Sequence, residues 1–173
     1  AGGKVARLIR ELRPRVVVTE NDNGTYGHPD HVMCHRVTMR AWDLAGDPAA
    51  PVDGAPWQPA RLYAMAAVTE GWDEIVQRMR AEGLDTAWLE AMIERRREHV
   101  PPVSPADVTA AIDVSDYAET QRRALLCHRT QIAPDNFLMG LPPNVRRLAF
   151  GVAYLMRLRP TPAPGERDAD LIP

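Results

Sequence analysis

The feature that most constrains this chain is a β-branched run at residues 15–19, followed by a loop rich in Asn, Asp and Gly. Pro14 precedes the run and ends a helical pattern, because proline cannot donate a backbone N–H. Such a run predicts a buried strand with both faces covered. An amphipathic pattern follows the loop, so the order is strand, polar loop, helix. Ligands of open parallel sheets bind outside the carboxyl ends of the strands, so we expect an active site at this loop.

The other periodicities predict further helices and strands. Helices are expected at residues 3–13, 29–45, 71–82, 85–98, 116–130 and 144–150, and strands at 61–66, 108–114 and 152–158. The tail from Pro160 is expected to fray. The apolar face of the first helix is predicted to consist of Val5, Leu8, Ile9 and Leu12. This order predicts an α/β fold class, a Rossmann-like and mostly parallel sheet with helices on both faces, incomplete in this chain.

Bulk composition narrows the classes of function. Hydrophobic residues make up 45% of the chain and charged residues 25%, which is typical of a soluble globular protein. The net charge of −2 gives no electrostatic reason to expect a nucleic acid or an anionic membrane as partner. No apolar run approaches roughly 18 residues, so no membrane span is expected. Cys34 and Cys127 lie in amphipathic helical patterns, which favours buried free thiols over a disulfide.

Four side chains with catalytic chemistry lie within six residues at the end of the loop: Tyr26, His28, Asp30 and His31. Proline suits the first helical position, so His28 is predicted near the N-cap and His31 about one turn further on. Imidazole is the commonest metal ligand of proteins and titrates near neutrality. A hydrolytic zinc site needs three protein ligands and an open position for water. The pattern therefore favours a metal site or an acid–base site.

Other residues allow alternative interpretations. His31 and His35 are four positions apart, as in a helical zinc motif, but that motif also requires a Glu that is absent here. Cys127 and His128 are adjacent on a predicted helix and would point about 100° apart, which favours packing over a catalytic pair. The three arginines at 95–97 are more typical of a solvated helix end than of a phosphate site.

The segment Tyr26-Gly27-His28-Pro29-Asp30-His31, after a Val-rich strand, resembles the second motif of the PIG-L/LmbE-like zinc deacetylases. These enzymes remove acyl groups from N-acylglucosamine compounds. Within the family the chain is most similar to the mycothiol-pathway branch, which contains the N-acetylglucosaminyl-inositol deacetylase and the mycothiol S-conjugate amidase. Segments 57–63 and 113–131 support this branch. The similarity extends from about residue 4 to 140.

The resemblance implies a role for each side chain. His31 would bind Zn²⁺, and His28 would act as the electrostatic or general-acid group beside the scissile amide. Asp30 would hold His28 and raise its pKa, and Tyr26 would help to polarise the carbonyl. The substrate would be a small glucosamine conjugate, and the location would be cytoplasmic.

One departure from the family is large. Its first motif, Ala-His-Pro-Asp-Asp, which supplies the other zinc ligands and the general base, is absent from the sequence. We therefore expect residues 1–173 to form the C-terminal part of a single deacetylase domain, with a helical insert at about 67–107. The N-terminal part of the same enzyme would be a required partner, either fused or as a separate chain.

Two other functions are compatible with the sequence. One is a non-catalytic binding or interaction module that retains half of the site. The other is an α/β enzyme acting on a sugar nucleotide or phosphate, which is disfavoured because the sequence has no glycine-rich phosphate loop.

Overall fold

A computed structural model describes residues 1–66, 68, 72–99, 101, 103–133, 136 and 139–173, the side chains of Tyr26, Arg96 and His99 excepted. The chain divides into two compact units. Unit 1 comprises Ala1–Val68, Arg96–Ala111 and Tyr154–Pro173, and unit 2 comprises Thr69–Arg95 and Ile112–Ala153. The single domain with an insert at 67–107 stays a prediction.

One or two helices precede each strand after the first, in the order that the sequence predicts. Their order in the described residues is α1 (Gly2–Leu12), β1 (Val16–Thr19), α2 (Gly24–Gly27), α3 (Pro29–Gly46), β2 (Arg61–Met65), α4 (Trp72–Ala81), α5 (Ala87–His99), β3 (Ala110–Asp113), a 3₁₀ turn (Ser115–Tyr117), α6 (Ala118–Leu126), α7 (Pro143–Phe150) and β4 (Val152–Arg159). The helix predicted at 116–130 is shorter at both ends: the 3₁₀ turn replaces its start, and α6 ends at Leu126. The loop before α3 contains the single-turn helix α2, which the sequence analysis did not predict.

The four strands form one sheet in the order β1-β2-β4-β3. Strand β1 pairs with β2 in parallel, from Val16 beside Arg61 to Thr19 beside Ala64. Strand β4 departs from the predicted mostly parallel arrangement and runs antiparallel to β2. The α/β class is confirmed. The direction of β4 could not be predicted from its sequence, because an apolar run indicates that a strand is present and buried but not which way it runs in the sheet.

Strand β1 is less buried than its sequence suggests. Val18 is 48% exposed, and only Thr19 of the strand is buried. The prediction of a strand covered on both faces is wrong for the described residues: Val17 packs against the α1–α3 cluster, but Val18 on the opposite face is exposed.

Helix α1 packs on α3 through small side chains. Ala6 and Ile9 of α1 form a buried cluster with Ala41 and Ala45 of α3. Alanines permit a close approach of the two helices. The buried face of α1 therefore includes Ala6 and differs from the apolar face predicted from the sequence. The predicted core residues Leu8 and Leu12 are accordingly exposed, by 45% and 73%.

A buried arginine links α1 to the C-terminal end of α3. Arg10 of α1 is only 5% exposed. Its guanidinium donates to five backbone carbonyls, those of Leu44, Ala45, Asp47, Val52 and Gly54. The last carbonyls of a helix have no partner within the helix, so Arg10 satisfies the C-terminal end of α3.

A tight turn joins β1 to α3 at the other end of that helix. The Asn21 side chain is buried, and its Oδ1 accepts a hydrogen bond of 2.6 Å from the Thr25 amide. Gly24 adopts a φ of +70°, and a Cβ built there would lie 2.8 Å from the Val32 amide nitrogen and 3.0 Å from the His31 Cβ. The turn therefore depends on the absence of a side chain at Gly24.

Unit 2 has a core of its own. One cluster of buried apolar residues comes from α4, α5, α7 and the segment before α7; its members are Ile75, Val76, Met79, Leu89, Ile93, Leu141 and Val145. None of the helices in the described part of the chain is both long and apolar enough to cross a membrane.

The C-terminal tail, predicted to fray, is bound to the sheet by an ionic cluster. Asp168 accepts hydrogen bonds from Tyr63 on β2 (3.0 Å) and Arg157 on β4 (3.1 Å), and its carboxylate lies 3.4 Å from Arg61. The Arg157 and Asp168 side chains are 5% and 3% exposed, and Arg157 also pairs with Glu166. Burial, and then the hydrogen bond to Asp168, raises the pKa of Tyr63. The sequence analysis missed the cluster because its members are distant in the chain.

Replacement of Asp168 should destabilise unit 1. Asp168→Ala leaves the buried Arg157 without one of its carboxylates, and breaking a buried ion pair costs about 3–5 kcal/mol. The free energy of unfolding can be measured by urea titration. Asp107→Ala, at an exposed carboxylate of the same unit, should change it by no more than about 0.5 kcal/mol. Equal losses in the two variants would show that the tail cluster does not stabilise the fold.

Replacement of Gly24 should cost more than its backbone angle alone explains. A left-handed φ costs an L-residue about 1–2 kcal/mol, and overpacking adds about 1–3 kcal/mol. Gly165 is a matched control in the same unit, because its φ is +77° and a Cβ there meets nothing within 4 Å. We expect Gly24→Ala to lower the free energy of unfolding in urea by more than Gly165→Ala does. Similar losses would rule out the predicted clash with α3.

Candidate active site

The His-Pro-Asp-His segment forms the start of α3, at the carboxyl end of β1. His28 is the N-cap of α3, with an extended backbone, and Pro29 occupies the first turn. The His28 carbonyl accepts the amides of His31 (3.0 Å) and Val32 (3.1 Å). The predicted placement of both histidines in the first turn of the helix is confirmed.

The two histidine rings lie against each other. Their centroids are 5.6 Å apart, and the rings meet edge to face at 74°. His28 is about half exposed, whereas the side chain of His31 is 34% exposed. The turn therefore brings two imidazoles to one place, one more open to solvent than the other.

His28 is oriented by the backbone of its own helix. Its Nδ1 accepts a hydrogen bond of 3.2 Å from the Asp30 amide, as N-cap side chains do. Since Nδ1 is the acceptor, the proton of a neutral His28 ring lies on Nε2. The Asp30 carboxylate is 4.0 Å from the same Nδ1 and 91% exposed. The residue expected to hold His28 thus contacts it chiefly through its main chain.

Tyr26 lies in α2, two residues before His28. Its side chain is outside the described residues, so its predicted role in polarising the substrate carbonyl stays a prediction.

Glu20 is a residue of this site that the sequence analysis missed. It directly follows β1, and its Oε1 lies 3.0 Å from His31 Nδ1. Its Oε2 accepts a hydrogen bond from the Thr25 hydroxyl, and its backbone carbonyl accepts one of 2.8 Å from His35 Nδ1. In the sequence it looks like the first residue of a polar loop. A usable signal was present, because an acidic residue at the carboxyl end of a strand faces the ligand side of the sheet.

The alternative pairs gain no support from their contacts. The Nδ1 of His35 donates to the backbone carbonyl of Glu20, so this nitrogen is not available to a metal site shared with His31.

Cys34 and Cys127 are free, as predicted, but both are exposed. The prediction that these thiols are buried is wrong: the Cys34 Sγ lies only at the margin of the core, 3.9 Å from the Thr19 hydroxyl, and Cys127 follows the last turn of α6.

Metal chemistry requires more donors than this segment supplies. Across the part of the chain that the structure describes, no three His, Cys, Asp or Glu side chains form a group able to hold a metal ion. His31 suits a zinc ligand, since ligating histidines usually place their second ring nitrogen against a carboxylate or carbonyl. The described residues thus fit one part of a zinc site and not a whole one.

Comparisons with known proteins agree with this geometry. Residues 2–42, which hold α1, β1 and most of α3, match the family PIG-L, described as GlcNAc-PI de-N-acetylase. A crystal structure of a conserved protein from Thermus thermophilus has a similar fold, with a TM-score of 0.50 and 22% identity; the match covers 94% of this chain and 58% of that one.

Two relatives carry the name 1D-myo-inositol 2-acetamido-2-deoxy-alpha-D-glucopyranoside deacetylase. The one from Thermobifida fusca is 42% identical, over 95% of this chain and 56% of its own length. The one from Acidothermus cellulolyticus is 39% identical, over 99% and 55%. The chain thus spans about half the length of these curated relatives. On these matches the chain is similar to the PIG-L deacetylases, over the part of those enzymes that it spans.

Proposed function

We propose that this chain supplies the two-histidine part of a zinc-dependent amide hydrolase that deacylates an N-acylated glucosamine conjugate. The observation that supports this most strongly is the pair of imidazoles at the start of α3, 5.6 Å apart, with His31 Nδ1 against a carboxylate. The relatives named as deacetylases of a glucosamine-inositol compound supply the substrate class.

His31 would be one ligand of the metal. When bound, Zn²⁺ would supply a Lewis acid for the amide carbonyl and lower the pKa of a bound water. The remaining ligands and the general base would come from outside the residues described here, from the N-terminal part of the enzyme. We infer that the N-terminal part is required for activity and that the enzyme works in the cytoplasm.

His28 would act on the substrate rather than on the metal. As the general acid, His28 would be an imidazolium and would donate the proton of Nε2, the ring nitrogen that does not contact the Asp30 amide. A proton donor is needed when the amine leaves, because an unprotonated amide nitrogen is a poor leaving group. The half-exposed His28 ring is accessible to a small substrate. Asp30 would assist by adding negative charge near the imidazole.

His31→Ala should abolish zinc binding in the intact enzyme. The side chain supplies one of the few ligands, and three protein ligands are the minimum for a catalytic zinc site. Zinc bound per protein can be measured by elemental analysis after dialysis. His128→Ala is a matched control, since His128 is an exposed histidine in unit 2 and should leave the zinc content unchanged. Undiminished zinc in His31→Ala would contradict the ligand role, and absence of zinc from the wild-type enzyme would favour a non-catalytic module.

His28→Ala should separate chemistry from metal binding. We expect kcat to fall by about 10²- to 10⁴-fold, the usual contribution of a general acid, with zinc content unchanged. Release of amine from an N-acetylglucosamine conjugate provides the assay, and Asp43→Asn, at an exposed carboxylate further along α3, provides the control. A variant that keeps full kcat would exclude His28 as the proton donor.

A further inference from the structure

We propose that Glu20 is the positioning residue of the site: its carboxylate fixes the ring of His31 and selects the nitrogen that His31 offers to the metal. This inference rests on the proposed function, because it concerns the same zinc ligand. No role was assigned to Glu20 by the sequence, and it would not bind the metal or the substrate itself.

Both carboxylate oxygens of Glu20 are engaged. Oε1 lies 3.0 Å from His31 Nδ1 in a charge contact that is not aligned as a hydrogen bond, and Oε2 accepts a hydrogen bond from the Thr25 hydroxyl. The side chain is 24% exposed, so solvent competes only weakly for these oxygens. The hydrogen bond at Oε2 limits rotation of the carboxylate, which therefore places a fixed negative charge beside the imidazole.

The backbone on each side of this carboxylate is also fixed. The Glu20 carbonyl accepts a hydrogen bond of 2.8 Å from His35, one turn beyond His31 on α3. Thr25 has a φ of +64°, an unfavourable angle for a β-branched residue, and its amide is bound to the buried Asn21. The strand end, the loop and the helix are thus connected through one residue. An arrangement with this many contacts tolerates little displacement of His31.

The chemistry follows from the position of the proton on the ring. A carboxylate cannot donate a hydrogen bond, and its negative charge 3.0 Å from Nδ1 disfavours a lone pair there, so Glu20 favours the tautomer with its proton on Nδ1. The lone pair of His31 then lies on Nε2, the nitrogen that could bind zinc. Removing Glu20 would release the ring to rotate and to adopt the other tautomer. Loss of such an outer partner usually costs about 10- to 100-fold in metal affinity.

The test uses three variants of the intact enzyme and two readouts. Glu20→Ala removes the carboxylate, Glu20→Gln keeps an acceptor oxygen and the length of the side chain, and Asp22→Asn neutralises an exposed carboxylate in the same loop as a control. Long-range ¹H–¹⁵N spectra of the zinc-free protein report which His31 nitrogen carries the proton. Zinc affinity is measured by competition with a chelator.

We expect the Nδ1–H form of His31 in the wild type, in Asp22→Asn and in Glu20→Gln, and the Nε2–H form in Glu20→Ala. Zinc affinity should fall by about 10- to 100-fold in Glu20→Ala and by less in Glu20→Gln. Partial rescue by Gln would separate positioning from a loss of folding, which would affect the whole spectrum.

Wild-type tautomer and affinity in Glu20→Ala would overturn the role of Glu20 and leave the proposed function intact. If His31→Ala also bound zinc as tightly as the wild type, the proposed function itself would fail. An Nε2–H ring in the wild type would overturn the inference in the same way as unchanged affinity.

Discussion

The structure of unit 1 depends on a guanidinium buried among backbone carbonyls. Arg10 is enclosed between α1, the end of α3 and the loop that follows it, and its five hydrogen bonds all end on main-chain oxygens. A buried cation is costly unless every donor is satisfied. Here the carbonyls at the end of α3 supply acceptors, and their partial negative charge favours a cation. The buried guanidinium thereby gains acceptors, and the carbonyls at the end of the helix gain a donor.

This contact fixes the far end of the helix that carries the candidate site. At the near end, the Gly24 turn holds α3 against the end of β1, with no room for a Cβ. Between the two ends, the alanines of α1 and α3 set the distance between the helices. A catalytic group must be held to within a fraction of an ångström, which a rigid helix achieves better than a loop. The placement of His28 and His31 is therefore a consequence of packing far from either ring.

The sequence predicted those features that are local in the chain. The strand, the loop and the start of α3 follow from β-branched residues, glycines and a proline, whose effects extend over a few positions. The same reasoning failed where distant residues meet. Leu8 looks like a core residue on a helical wheel, and only the packing of α1 on α3 shows that it is exposed. The tail cluster around Asp168 and the contacts of Glu20 are equally invisible in a local pattern.

The roles of the two histidines could not be assigned from their spacing, because both side chains are alike and only three positions apart. Their partners distinguish them. His28 Nδ1 accepts a hydrogen bond from a backbone amide, whereas His31 Nδ1 lies beside a carboxylate, which cannot donate one. These surroundings favour opposite tautomers, with a proton on Nε2 of His28 and a lone pair on Nε2 of His31. In the proposed roles, His28 would present an Nε2 proton to the substrate and His31 an Nε2 lone pair to the metal, so one helical turn would supply both roles from the same type of side chain.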